Sequence, residues 1–61
     1  PDCIIIGEIM LVAELKATGK HPTALQQKWL DAFERVGITT KVWHPEDKEI
    51  IMLTLKNMRV I

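Results

Sequence analysis

The 61-residue chain has a single cysteine, Cys3, and so cannot form a disulfide within itself. It has no Cys/His cluster either, so a structural zinc site is not indicated. A lone cysteine inside an isoleucine run is typical of a reduced, buried thiol, and we expect a cytoplasmic protein. A chain of this length buries only about 60% of its unfolded surface. We therefore expect a partner chain or further sequence to complete the core.

Long apolar runs are also missing, because Glu8 and Glu14 interrupt the longest one. A membrane-spanning helix needs roughly 20 apolar residues, and no signal peptide is recognisable. We therefore expect no membrane partner. The chain opens with Pro1-Asp2 instead of methionine and passes at once into the apolar segment 3–6. We expect that an N-terminal piece of the domain is absent.

The formal net charge is zero, so there is no overall field to attract nucleic acid. Between residues 15 and 30, however, the only charged side chains are Lys16, Lys20 and Lys28, with His21 among them. On charge alone, a solvated loop and helix face is the favoured interpretation. The alternative is that Lys20, His21 and Lys28 contact DNA.

Periodicity predicts an α/β fold that begins with a β-hairpin. Segment 3–6 is largely β-branched, and segment 9–13 continues apolar before Glu14. Apolar residues on both faces indicate two interior strands joined near Gly7-Glu8. Thr23 and Gln26 form a predicted capping box at the start of a helix, and Gly37 ends that helix. Its expected buried stripe consists of Leu25, Trp29, Ala32, Phe33 and Val36.

A third strand is predicted over residues 38–43, ended by His44-Pro45. The last segment is ambiguous, because residues 49–53 have the composition of a strand while Pro45 resembles a helix start. We favour a C-terminal helix with Ile50, Leu53 and Asn57 on one face. The predicted order is strand, strand, helix, strand, helix, in one domain over residues 1–61.

Glu14 and Lys16 are one residue apart on a predicted strand and therefore share a face. Taken alone, this pair is more simply interpreted as a surface ion pair at a strand end. Asp2 changes the balance, because a hairpin returns it towards Glu14. Pairing Ile6 with Met10 sets Asp2 beside Glu14 on one face, whereas a two-residue turn would separate them. We therefore predict a three-residue connection or a bulge.

Two convergent carboxylates provide hard oxygen ligands that suit Mg²⁺ or Mn²⁺. The predicted metal ligands are Asp2, Glu14 and the backbone carbonyl of Leu15. A metal held there would polarise a phosphodiester oxygen and acidify a bound water. Lys16, a mobile point charge, would position that water or stabilise the charge on phosphorus.

The combined pattern resembles the PD-(D/E)xK nuclease superfamily. Pro1-Asp2 is followed after eleven residues by Glu14-Leu15-Lys16, and residues 23–30 read Thr-x-x-Gln-x-x-Trp-Leu. Together with Gly37-Ile38 and Val42-Trp43, these motifs are similar to those of the virus-type replication-repair nuclease (VRR-NUC) branch. The resemblance covers roughly residues 1–45.

The resemblance implies a restriction-endonuclease-like core, divalent-metal dependence and hydrolysis of the DNA backbone. It assigns catalytic roles to Asp2, Glu14, Lys16 and Gln26; for Gln26, capping the helix is an equally good interpretation. Family members also carry an acid on a helix before the Pro-Asp motif, and this chain contains no such segment. We therefore expect weak cleavage or none from residues 1–61 alone.

The leading hypothesis is an endonuclease for branched or junction DNA that acts as a homodimer, since two-fold junctions suit a two-fold dimer. The substrate in this hypothesis comes from the resemblance alone. The alternative is a non-catalytic DNA-binding or assembly module that keeps the nuclease fold. A third interpretation is a small α/β domain with an accidental motif.

Overall fold

The computed structural model describes residues 1–61 as a three-stranded sheet with one helix on each face. The elements are β1 (Cys3–Ile6), β2 (Met10–Leu15), α1 (Ala24–Arg35), β3 (Thr39–Trp43) and α2 (Lys48–Met58). A short 3-10 turn, Pro45–Asp47, precedes α2. The α/β class, the element order and the C-terminal helix are therefore confirmed. With 12 and 11 residues, neither helix has the length and apolar character needed to span a bilayer.

The sheet has the order β1-β2-β3, with β1 antiparallel to β2 and β3 parallel to it. Ile6 pairs with Met10 and Ile4 with Val12, so residues 7–9 form a three-residue connection, as the sequence predicts. Segment 59–61 and the end of α2 hold this connection, because Glu8 N donates to the Met58 carbonyl at 2.6 Å. Gly7 is needed there, since a Cβ would overlap the Met58 carbonyl oxygen.

One face of the sheet packs against α2. The buried cluster on this face consists of Leu11, Ala13, Trp43 and Met58, with Cys3, Ile5, Ile51 and Leu55 packed around it. Ile50 and Leu53 lie on the outward side of α2, and both are more than half exposed. α2 instead turns the side of Ile51 and Leu55 towards the sheet. The Cys3 thiol is half-buried, and burial raises its pKa.

The other face packs against α1, the helix that connects the parallel strands β2 and β3. Val12 and Glu14 are fully buried on this face, and Leu30 is the buried residue of α1. The helix starts with the predicted capping box: Thr23 N donates to Gln26 Oε1 at 2.9 Å, and Gln26 N donates to Thr23 Oγ1 at 3.2 Å. It ends before Gly37, which has a φ of 89°.

The predicted buried stripe of α1 is largely wrong. Leu25 is 65% exposed, Trp29 55% and Val36 72%, while Phe33 is only half-buried. The periodicity correctly indicates that one side of α1 is apolar. In the structure, however, Leu30 packs against the sheet, and the side that carries Leu25, Trp29 and Val36 remains exposed. Periodicity alone does not determine how a helix rotates on its sheet.

The prediction that both hairpin strands are interior is correct for β2 and wrong for β1. β1 is an edge strand, and α1 lies over β2 and β3. Ile4 and Ile6 are consequently 58% and 50% exposed. A strand with β-branched residues on both faces is buried only where a helix layer covers each of those faces.

Candidate functional site

The polar residues predicted to form the site meet at one edge of the sheet. β2 and β3 both end there, and α1 and α2 both begin there. β1 runs the opposite way, so its start lies at the same edge. The carboxyl ends of parallel strands are the usual position for ligand sites in α/β folds, because helix N-termini and loop residues converge on them.

Asp2 lies at this edge, and its carboxylate is hydrogen-bonded to the neighbouring strand β2. Its Oδ2 accepts the Leu15 N–H at 2.7 Å, and its own N–H donates to the Ala13 carbonyl at 3.1 Å. The pKa of Asp2 lies below the ordinary aspartate value, first because of the hydrogen bond from Leu15. The neighbouring Glu14 side chain and the charge of Lys16 lower it further.

Glu14 is the only buried charged residue of the chain, with 2% of its surface exposed. Its Oε1 lies 3.3 Å from the nitrogen of Pro1. Its Oε2 is buried and has no hydrogen-bond partner. A buried carboxylate oxygen without a partner is costly, so Glu14 is poorly accommodated as an ordinary core residue.

The two carboxylates lie side by side, as the hairpin register predicts. Continuing the pairing of Cys3 with Ala13 by one residue sets Asp2 opposite Glu14 on the α1 face. Their oxygens are chemically suited to Mg²⁺ or Mn²⁺, and the orphan Glu14 Oε2 is available as a ligand atom. Among the 61 described residues there is no cluster of three or more His, Cys, Asp or Glu side chains with metal-binding geometry. Asp2 and Glu14 are therefore the two side chains at this edge that could hold a divalent ion.

Lys16 follows directly after β2 and stands beside the carboxylates. Its N–H donates to the Trp43 carbonyl at 2.8 Å, which extends the parallel pairing beyond the strand end. The side chain is half-buried, and its charge contributes to the lowered pKa of Asp2. Lys16 is thus placed with the acids, as the one-residue spacing from Glu14 predicts.

Lys16 also lines an open cleft of about 430 Å³ at the same edge. The remaining walls are mostly apolar and come from Leu15, Ala17, Trp43, His44, Pro45 and Ile51. Trp43 itself is buried. Neither Asp2 nor Glu14 lines this cleft.

Gln26 performs the capping role. Both halves of the capping box are present, and the Gln26 side-chain oxygen is occupied by the Thr23 N–H. Its amide nitrogen has no hydrogen bond within the chain and is the part of the side chain still available for a ligand.

His44 belongs to this edge and was not singled out from the sequence. Its Nε2 hydrogen bonds to the Lys20 carbonyl at 2.6 Å, which raises the histidine pKa, and the acidic charges of Glu46 and Asp47 raise it further. The His21 ring lies edge-on, 6.4 Å from the His44 ring. The one signal in the sequence is the position of His44 before proline at the end of a parallel strand.

The predicted DNA contacts divide into two groups. Lys20 and His21 lie in the loop joined to His44, at the same edge as the acids. Lys28 lies on the exposed side of α1 and lines a shallow groove with Leu25, Trp29 and Ala32. Lys28 is therefore placed with an apolar surface and is not part of the acidic site.

Comparison with known proteins gives no relative from which a role could be transferred. No family model, no curated protein and no solved structure matches the chain. The interpretation of the site therefore depends on the arrangement of Asp2, Glu14 and Lys16.

Proposed function

We propose that the chain carries the metal site of a Mg²⁺- or Mn²⁺-dependent deoxyribonuclease with a restriction-endonuclease-like core. The observation that supports this proposal is the buried Glu14 Oε2, which has no partner and lies beside the anionic Asp2. Folding tolerates such an atom only at a cost, and a divalent ion would remove that cost. The resemblance of residues 1–45 to VRR-NUC nucleases points to the same chemistry.

Each residue has a separate role in this proposal. Asp2 and Glu14, with the Leu15 carbonyl, hold the ion, which when bound polarises a phosphodiester oxygen and acidifies water. The Leu15 N–H fixes the Asp2 carboxylate in place. Lys16 brings a positive charge to the phosphate, and the free Gln26 amide nitrogen is a donor at the adjacent helix start.

DNA is the proposed substrate, with branched or junction DNA as the specific form. Two lysines at the acidic edge, Lys16 and Lys20, offset the negative field that would otherwise repel a phosphate backbone. His21 and His44 lie beside them. A homodimer is part of the proposal. The outward side of α2, with Ile50, Met52 and Leu53 exposed, is an apolar surface that such a dimer would bury.

The second candidate is a non-catalytic DNA-binding or assembly module. The observation in its favour is the absence of a third acidic or histidine side chain beside Asp2 and Glu14. In that case the basic edge would bind DNA without metal, and Lys16 would contribute only to affinity.

The proposal is tested by incubating the chain with supercoiled plasmid and with four-way junction DNA, with and without Mn²⁺. We expect slow, Mn²⁺-dependent nicking that Lys16→Ala abolishes while the circular dichroism spectrum is unchanged. Lys56→Ala is the matched control, since Lys56 lies at the far end of α2 and should leave nicking intact.

The two candidates give different results in this assay. DNA binding that is equal with and without Mn²⁺, together with no Mn²⁺ bound at Asp2 and Glu14, would support the non-catalytic module and reject the nuclease. Nicking that survives Lys16→Ala would reject the role of the lysine.

A further inference from the structure

The loop between β2 and α1, residues 16–23, is tied to the 3-10 turn before α2 at two points. His44 Nε2 lies 2.6 Å from the Lys20 carbonyl oxygen, and Thr18 Oγ1 donates to Glu46 Oε1 at 3.2 Å. The loop also carries basic side chains of this edge, so the two contacts determine where those side chains stand.

The His44 ring has an oxygen acceptor beside each of its nitrogens. Nε2 faces the Lys20 carbonyl oxygen at 2.6 Å, and Nδ1 lies 3.5 Å from Asp47 Oδ2. Neither a carbonyl nor an ionised carboxylate has a proton to donate. A neutral imidazole has one N–H and can serve only one of these oxygens, whereas the imidazolium can donate to both. The arrangement is therefore complementary to the charged form of His44.

The surroundings of the His44 ring favour the same form. The hydrogen bond to the Lys20 carbonyl is the largest cause of the raised His44 pKa, and the charges of Glu46 and Asp47 raise that pKa further, while partial burial lowers it. The titratable groups around the ring are Lys16, Lys20 and His21 on the loop, and Glu46 and Asp47 on the 3-10 turn. α2 contributes the apolar Ile51 to the cleft that His44 lines.

The raised pKa gives the closed loop a definite dependence on pH. A histidine whose pKa is raised by folding stabilises the folded arrangement below its unfolded pKa, and that stabilisation is lost as the pH rises through the raised value. His44 then loses one ring proton, so one of its two oxygen neighbours faces a lone pair. The Thr18 contact involves no histidine, so the loosening affects the Lys20 part of the loop.

We propose that His44 is a pH-sensitive clasp, which holds the Lys20 part of the loop on the 3-10 turn when it is charged and releases it when it is neutral. The clasp regulates the proposed DNA site, because the closed loop keeps Lys20 and His21 at the acidic edge. DNA affinity at this edge should fall as His44 loses its proton. The effect on DNA rests on the proposed function, whereas the clasp does not.

The clasp is tested by NMR on the whole chain, without DNA or metal, between about pH 5 and about pH 9, on either side of the ordinary histidine pKa. The ring carbons of His44 report its titration. The Lys20 amide, which donates to the Ala17 carbonyl at 2.9 Å, reports the closed loop through its protection from hydrogen exchange, corrected for the intrinsic rate at each pH. We expect this protection to fall roughly threefold, the scale of one partly exposed charged contact, with the midpoint of the His44 ring.

Two glutamine variants separate the clasp from the neighbouring histidine. His44→Gln keeps a side-chain N–H for the Lys20 carbonyl but does not titrate, so protection of the Lys20 amide should no longer depend on pH. His21→Gln is the matched control and should retain the wild-type midpoint, because the His21 ring meets His44 only edge-on. Constant protection in the wild type, or a midpoint that is lost in His21→Gln, would overturn the proposal.

The regulation is tested by measuring affinity for four-way junction DNA without metal over the same pH range. We expect affinity to fall at the His44 midpoint in the wild type and in His21→Gln, and much less in His44→Gln. Affinity that stays constant while the clasp releases would overturn the regulation of DNA binding. No DNA binding at any pH would reject the proposed function, and the protection of the Lys20 amide would then decide on the clasp.

Discussion

Glu14 is the residue at which stability and the proposed function conflict. Its side chain is buried on β2, and its buried neighbours on that strand, Leu11 and Val12, are apolar. A carboxylate with one oxygen unpaired in such a position destabilises the fold unless it binds something. A buried polar atom without a partner is uncommon in folded proteins and calls for a specific explanation.

Replacement of Glu14 by methionine should therefore stabilise the fold. Methionine removes the unpaired oxygen and keeps the apolar contacts, and we expect a gain of about 1–2 kcal/mol in the free energy of unfolding. Urea denaturation without divalent ions measures this directly. A loss of stability in Glu14→Met would show that the carboxylate is well satisfied in the folded chain.

Asp2 should titrate below the ordinary carboxyl range. Because its pKa is lowered in the folded state, chiefly by the Leu15 N–H, ionised Asp2 stabilises the fold at any pH above the unfolded pKa. That contribution is lost as the pH falls through the lowered pKa. NMR of the Asp2 carboxyl carbon follows the titration, and Asp2→Asn should flatten the acid limb of the stability curve. An ordinary Asp2 pKa would contradict the hydrogen bond.

The sequence predicts that Asp2, Glu14 and Lys16 lie together, but it does not predict that His44 belongs to the same edge. The one-residue spacing of Glu14 and Lys16 fixes their common face on any strand, and the apolar pattern of the hairpin selects the register that brings in Asp2. His44 was missed because its role depends on the Lys20 carbonyl, 24 residues earlier in the chain.

Among the elements, α1 has the clearest local determinants. The capping box holds its first turn, and both predicted hydrogen bonds are present. The C-terminal helix was harder to identify, because residues 49–53 are apolar in a way that suits either structure. In the structure this segment is a helix, and its Ile51 and Leu55 pack against the sheet face that carries Leu11 and Trp43.

Thr23→Ala should destabilise the chain by about 1 kcal/mol, because the Gln26 N–H loses its acceptor at the helix start. Thr23→Ser keeps the hydroxyl and is the matched control, with little expected change. Thermal unfolding of both variants compares them. Equal melting temperatures for the alanine and serine variants would show that the cap contributes nothing.

Two errors in prediction at the element scale have one physical cause. The stripe of α1 and the burial of β1 were both inferred from composition, which reports that a surface is apolar but not what covers it. The exposed Trp29 and Ile4 belong to the same uncovered region.

At the scale of the whole molecule, the chain is a thin layer whose sheet is fully covered only along β2. Its seven buried residues are a small core for 61 residues, which agrees with the expectation that burial against another surface completes it. The class and order of elements follow from local patterns. The rotation of α1 and the edge position of β1 depend on contacts between layers, which no local pattern encodes.

The central claim is that Asp2 and Glu14 together hold a divalent ion, and Mn²⁺ titration followed by paramagnetic broadening of amide signals tests it most directly. We predict broadening centred on Asp2, Glu14 and Leu15, lost in Glu14→Gln. Glu46→Gln, at an acid on the same edge that bonds to Thr18, should retain it. Broadening centred elsewhere, or unchanged by Glu14→Gln, would contradict the account.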